Sequence, residues 1–162
     1  MKRRITLSSP DNTAALAQAL AAHLKAGDTL LLSGPIGAGK TTFARALIQE
    51  RLSQAGLWEE VPSPSFTLVQ TYNDGAAEIW HVDLYRLEGG AETSELGLDE
   101  AFRTAICLVE WPERLGPQVP DDALALSLEI GSESERSLTA SASGPRGAAL
   151  MPLFEETREP YA

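Results

Sequence analysis

Apolar and polar residues recur along this chain in two rhythms, and the changes of rhythm mark out the elements. Residues 3–7 predict a short first strand. Leu16, Ala19, Leu20 and Leu24 then recur at helical spacing, with Ser9 as cap, Pro10 in the first position, Asp11 in the first turn and Gly27 as terminator. His23 falls on the surface or boundary of that helix. Asp28-Thr29-Leu30-Leu31-Leu32 is short and apolar enough for a buried strand, and helical spacing returns over residues 43–49 before fading near Gln54-Ala55-Gly56.

Further along, residues 66–72 and 77–85 predict two strands joined around Asn73-Asp74-Gly75, a hairpin signal. In the second strand Trp80, Val82 and Leu84 point toward the core, while His81, Asp83 and Tyr85 share a polar face. The strand alone places His81 and Asp83 in water. A functional reading instead turns Asp83 toward a phosphate, where it positions a water or a metal-bound water. Residues 92–102 predict two short helical pieces broken at Gly97. Ala105-Ile106-Cys107-Leu108-Val109 reads as a strand buried on both faces that delivers Glu110 at its carboxyl end, where open α/β sheets bind ligands. Residues 112–116 end that strand in a turn or short helix. A late strand over 123–130, a turn over 131–135 and an antiparallel return over 136–141 follow. Gly144-Pro145-Arg146-Gly147 breaks the chain before a last helix through Leu153 and Phe154, and residues 155–162 form a loose tail.

Between the second strand and second helix stands Ser33-Gly34-Pro35-Ile36-Gly37-Ala38-Gly39-Lys40-Thr41-Thr42, which contains the phosphate-binding pattern GxxxxGK[ST]. The glycines let consecutive N–H groups converge on phosphate oxygens at the positive end of the following helix. Lys40 supplies a point charge for the β- and γ-phosphates, and the Thr41 hydroxyl is the expected magnesium ligand. Glu110 has the position of the acid that reaches magnesium directly or through water, although Asp is the usual residue there. Pro62-Ser63-Pro64-Ser65, where two prolines forbid regular hydrogen bonding, is either a stiff connector or a segment that responds to nucleotide.

Composition limits what surrounds this chemistry. With 162 residues, 43% hydrophobic and 22% charged, the chain fits one P-loop domain over 1–162. Its apolar runs are shorter than a bilayer span and its first residues lack the apolar stretch of a secretory signal, so a cytoplasmic protein is expected. The single cysteine, Cys107, reads as a small buried hydrophobe, and with two histidines it makes no recognisable zinc cluster. The net charge of −10 opposes unaided binding to nucleic acid, so any role in RNA metabolism should pass through a protein partner.

Taken together, Gly37-Ala38-Gly39-Lys40-Thr41-Thr42-Phe43, Ser63-Pro64-Ser65-Phe66-Thr67-Leu68-Val69, His81-Val82-Asp83-Leu84-Tyr85-Arg86-Leu87, Glu95-Leu96-Gly97-Leu98-Asp99-Glu100 and Leu108-Val109-Glu110-Trp111-Pro112 resemble the TsaE family in order and spacing. That family comprises bacterial P-loop ATPases of tRNA threonylcarbamoyladenosine biosynthesis. The resemblance implies an α/β P-loop NTPase fold with a mostly parallel central sheet, an antiparallel hairpin, late antiparallel strands and helices on both faces. It also implies slow, partner-dependent hydrolysis of ATP with Mg2+, docking on TsaD and TsaB homologues, and contact with tRNA only through that complex.

Carried onto this chain, it implies that Gly37, Ala38, Gly39, Lys40, Thr41 and Thr42 bind nucleotide and that Thr41 and Glu110 hold the metal. Asp83, Lys40 and Glu110 would be catalytic, with Ser63, Pro64, Ser65 and Thr67 as the switch. A contact to adenine near Asp11 and a late basic contact such as Arg136 are implied without a motif to fix them, and Arg86 or a partner residue would be the arginine that meets the transferring phosphoryl. The chain departs from the family at Pro35-Ile36, where an acidic residue and leucine are usual. A small-molecule kinase and a non-catalytic nucleotide-gated module are the alternatives.

Overall fold

The computed structural model describes residues 1–87 and 94–154. Its strands are β1 (Lys2–Leu7), β2 (Thr29–Ser33), β3 (Val69–Asn73), β4 (Glu78–Asp83), β5 (Ile106–Glu110), β6 (Leu124–Ile130) and β7 (Arg136–Ala142). They form one seven-stranded sheet in the order β1-β7-β6-β2-β5-β4-β3. The centre, β6-β2-β5-β4, is parallel, and the flanking pairs β1-β7, β7-β6 and β4-β3 are antiparallel.

Alternation along the central strands feeds two cores. Leu30, Leu32, Ile106 and Leu108 face α1 (Pro10–Ala21) and α2 (Lys40–Gln54), where they meet Leu16, Leu20, Phe43 and Leu47. Leu31, Cys107 and Val109 face the other way, onto Leu98 and Ala101 of α3 (Leu98–Thr104) and onto Leu115 of the 3-10 segment Pro112–Gln118. Each such leucine removed from water contributes about 1.5–3 kcal/mol, which is why the interiors of the two middle strands are apolar. The helices thus cover both faces of a sheet that is parallel in its middle, as the sequence predicts.

Several boundaries differ from the sequence reading. The first helix is capped as expected, with Asn12 N–H donating to Ser9 Oγ at 3.3 Å, but it stops at Ala21 and does not continue to Gly27. Strand β3 begins at Val69, since Leu68 is in the left-handed region at φ 70° and Phe66 stands 85% exposed. Of the two helical pieces expected over 92–102, α3 starts directly after Gly97 and the first lies partly outside the described residues. The Gly-Pro-Arg-Gly break is instead the start of α4 (Pro145–Leu150), because the Asp122 carboxylate accepts the N–H groups of Arg146 and Gly147, both at 2.9 Å. The expected loose tail lies outside the described residues. Among the described residues, no helix is long and apolar enough to cross a membrane.

Cys107 is fully buried in β5, and burial pushes its thiol up to about 12. At pH 8 the folded protein should therefore give no reaction with a thiol reagent, whereas one thiol should appear in urea; rapid labelling of the native protein would contradict the packing of β5. The sign of the linkage follows. The unfolded thiol ionises first, so stability contributed by Cys107 falls as pH rises from the ordinary cysteine range toward 12.

Candidate functional site

The turn between β2 and α2 holds its shape through backbone that only glycine adopts cheaply. Gly34, at φ 142°, approaches β6 so closely that an added Cβ would lie 2.4 Å from the Leu128 carbonyl oxygen. Gly39, at φ 108°, caps α2 in the left-handed region, so the first N–H groups of the helix open into the turn without a side chain in front of them. Pro35, though it lacks an N–H, contributes its carbonyl to the turn, accepting Ala38 N–H at 3.1 Å.

A cleft of about 500 Å³ opens beside this turn, lined by Gly37, Gly39, Lys40, Thr41, Thr42, Asp83 and Glu110. Thr41 and Glu110 meet there across 69 residues of sequence, the Thr41 hydroxyl lying 2.9 and 3.0 Å from the two carboxylate oxygens. Parallel pairing produces this meeting, because β5 lies directly beside β2 and ends at the same level. A hydroxyl and a carboxylate are hard oxygen donors suited to magnesium and deficient in number for a closed site. Among the described residues, no group of three or more His, Cys, Asp or Glu side chains could hold a metal by itself. Any such ion would need waters or ligand oxygens to complete its shell.

Lys40 folds back over the start of its own turn. Its ammonium donates to the Gly34 carbonyl and lies 3.5 Å above the ring centre of Trp111, which tilts against Tyr85 with 4.8 Å between ring centres. Trp111 itself is left-handed at φ 60°, a conformation that costs a non-glycine residue on the order of 1–2 kcal/mol. Burial lowers the Lys40 ammonium from its ordinary range, opposed by the negative charges of Glu110, Glu113 and Asp83.

The reading of β4 as a half-solvated strand is corrected. His81 is 0% and Asp83 5% exposed, because β4 has β3 on one side and β5 on the other, and Ile79 on the face they share packs into the core that holds α1 and α2. Alternation within one strand reports its faces and not what packs on them. Asp83 accepts Tyr85 N–H at 3.0 Å and lies 3.4 Å from the Ser65 hydroxyl.

Of the switch residues, Ser65 lines the cleft, while Ser63, Pro64 and Thr67 do not. The Ser63 and Ser65 hydroxyls are 2.7 Å apart, Leu68 N–H donates to the Pro64 carbonyl at 2.7 Å, and Gln70 donates to the Thr67 hydroxyl at 3.0 Å. Arg86 donates to the carbonyls of Ser65, at 2.7 Å, and Phe66. Ala38 lies instead on a smaller opening beyond the turn, with Pro10, Thr13 and Arg136, and Arg136 reaches the Gly37 carbonyl at 3.2 Å. Asp11 is exposed and does not line it. Sequence reasoning missed Trp111 and the burial of His81; an aromatic directly after the strand-end acid was the available signal for the first.

A second cleft, of about 380 Å³, lies at the far end of α2 with a floor of Ala21, Ala22, Ala55 and Ala76. Its guanidinium, Arg51, is spent on Asp74 and on the Ala21 and Leu24 carbonyls, so it offers little to a charged ligand.

Comparisons with known proteins converge on one family. A family model described as threonylcarbamoyl adenosine biosynthesis protein TsaE matches residues 7–138. The tRNA threonylcarbamoyladenosine biosynthesis protein TsaE of Bacillus subtilis (strain 168) is 40% identical over 139 residues, covering 85% of this chain and 84% of that protein. Its counterpart from Treponema pallidum is 31% identical over 137 residues, covering 84% and 98%. The crystal structure of Bacillus subtilis YdiB has the same P-loop fold, with a TM-score of 0.78 at 34% identity over 94% of this chain and 93% of that one. On the turn, the sheet order and these matches, the chain belongs to the TsaE family of threonylcarbamoyl adenosine biosynthesis proteins.

Proposed function

We propose that this chain is a magnesium-dependent ATPase, a single P-loop domain of the cytoplasm, that binds TsaD and TsaB homologues and supports threonylcarbamoyl modification of the adenosine beside the tRNA anticodon. The observation that carries the reading is the contact between Thr41 and Glu110 at the mouth of the glycine turn. A hydroxyl and a carboxylate beside the phosphate-binding turn are the groups that would hold a divalent ion there.

In this reading the N–H groups of residues 37–42 receive the phosphates, and Lys40 leaves Gly34 and Trp111 to meet them. The metal, when bound with the triphosphate, neutralises charge that builds on the phosphoryl oxygens. Asp83 orients the attacking water, held in direction by Tyr85 N–H and the Ser65 hydroxyl. Ser65 joins that carboxylate to the backbone clamped by Arg86, so loss of the γ-phosphate has a route into residues 63–67. Because Arg86 is engaged with those carbonyls, a partner residue is the better candidate for the arginine that meets the transferring phosphoryl. The adenine is assigned to the opening between Pro10, Thr13 and Arg136.

The test is phosphate release from ATP with and without magnesium, alone and with purified TsaD and TsaB homologues. The proposal expects slow release that needs magnesium and rises with the partners. No release under any condition would overturn it in favour of a nucleotide-gated module, and transfer of phosphate to an added metabolite would point to a small-molecule kinase.

A further inference from the structure

Behind the Thr41–Glu110 contact lies a fully buried imidazole that the mechanism above does not use. His81, on β4, is 0% exposed, and its Nε2 lies 2.7 Å from Glu110 Oε2. Its other ring nitrogen, Nδ1, has no hydrogen-bond partner among the described residues. An ionised carboxylate only accepts hydrogen bonds, so Nε2 must carry the proton. The contact therefore runs from an Nε2–H donor to Glu110 Oε2.

This contact breaks a symmetry that Thr41 leaves intact. The threonine hydroxyl is almost equidistant from the two oxygens of Glu110, at 2.9 and 3.0 Å, so its one proton does not choose how the carboxylate is turned. His81 contacts Oε2 alone. We propose that His81 is a positioning residue for Glu110: its Nε2–H, held at 2.7 Å by the β4–β5 pairing, fixes the carboxylate plane and leaves Oε1 for the magnesium shell. The proposal rests on the magnesium reading given above. Outer partners of metal-binding carboxylates of this kind are worth roughly 10- to 100-fold in metal affinity.

The experiment measures the magnesium concentration at half-maximal binding of a fluorescent ATP analogue, a readout that does not depend on turnover. His81→Leu fills the space without a donor; His81→Gln places an amide nitrogen the same number of bonds from the backbone as Nε2. The midpoint should rise roughly tenfold or more in His81→Leu and stay within about threefold of wild type in His81→Gln. An unmoved midpoint in His81→Leu, or equal rises in both variants, would overturn the role. Binding by wild type that ignores magnesium altogether would remove the metal reading itself, and this proposal with it.

Should His81→Leu fail to fold, nitrogen-15 spectra of the wild-type imidazoles decide, since the chain has only two histidines. A hydrogen on Nε2 of the buried histidine, with an Nε2 shift that moves when magnesium and nucleotide are added together, is the expected result. An Nδ1–H tautomer, or no response to the pair, would overturn the proposal.

Discussion

Glu110→Gln is expected to lower ATP hydrolysis on the order of a hundredfold or more while leaving the fold in place. The substitution keeps the shape of a side chain that is 2% exposed, but it removes the carboxylate bonded to Thr41. An amide offers one oxygen where the carboxylate offered two. The His81 N–H and the Thr41 hydroxyl then compete for it, and the negative charge beside the glycine turn is gone. Losing roughly 3 kcal/mol of transition-state stabilisation corresponds to a little over two decades in rate. Single-turnover hydrolysis with the partners present, alongside thermal melting, measures both halves; a variant that melts like wild type and turns over at the wild-type rate would leave Glu110 without a role in the chemistry.

Lys40→Met should act on binding and stability in opposite directions. The methionine keeps an apolar stem and lacks the ammonium, so affinity for a triphosphate should fall on the order of a hundredfold, about 2.7 kcal/mol. Stability should be unchanged or higher by about 2 °C, because the wild-type charge is held where burial disfavours it more than the nearby carboxylates favour it. The pH dependence gives the sign. A cation whose folded-state pKa is lowered costs stability below that value, and the cost fades as pH rises through it toward the unfolded value. The stability difference between variant and wild type should therefore shrink on the alkaline side. A variant that melts well below wild type at pH 7 would mean that the Trp111 and Gly34 contacts outweigh desolvation.

What could be read in the sequence was whatever depends on neighbours along the chain. The glycine turn, the N-cap of α1, the hairpin and the apolar run ending in Glu110 are local patterns, and the structure places each where its chemistry predicts. The pairing of β5 with β2 is not local, so the nearness of Thr41 to Glu110 followed from the motif and not from their separation. His81 and Asp83 were misjudged because a strand's two faces look alike until its neighbours are known. Trp111 eluded the reading for a similar reason: an aromatic directly after Glu110 marks the position, but its left-handed backbone and its place under Lys40 are products of the folded turn.

The sheet order also dictates when the molecule can be finished during synthesis. Strand β1 lies at an edge and pairs only with β7, bringing Arg4 to Ser137 across 133 residues. A ribosome adding about 5–20 residues per second leaves β1 without its neighbour for on the order of ten seconds. Over that interval Ile5 and Leu7, buried in the mature protein, stay in water. Aggregation and capture by chaperones are therefore hazards of the nascent chain far more than of the completed one.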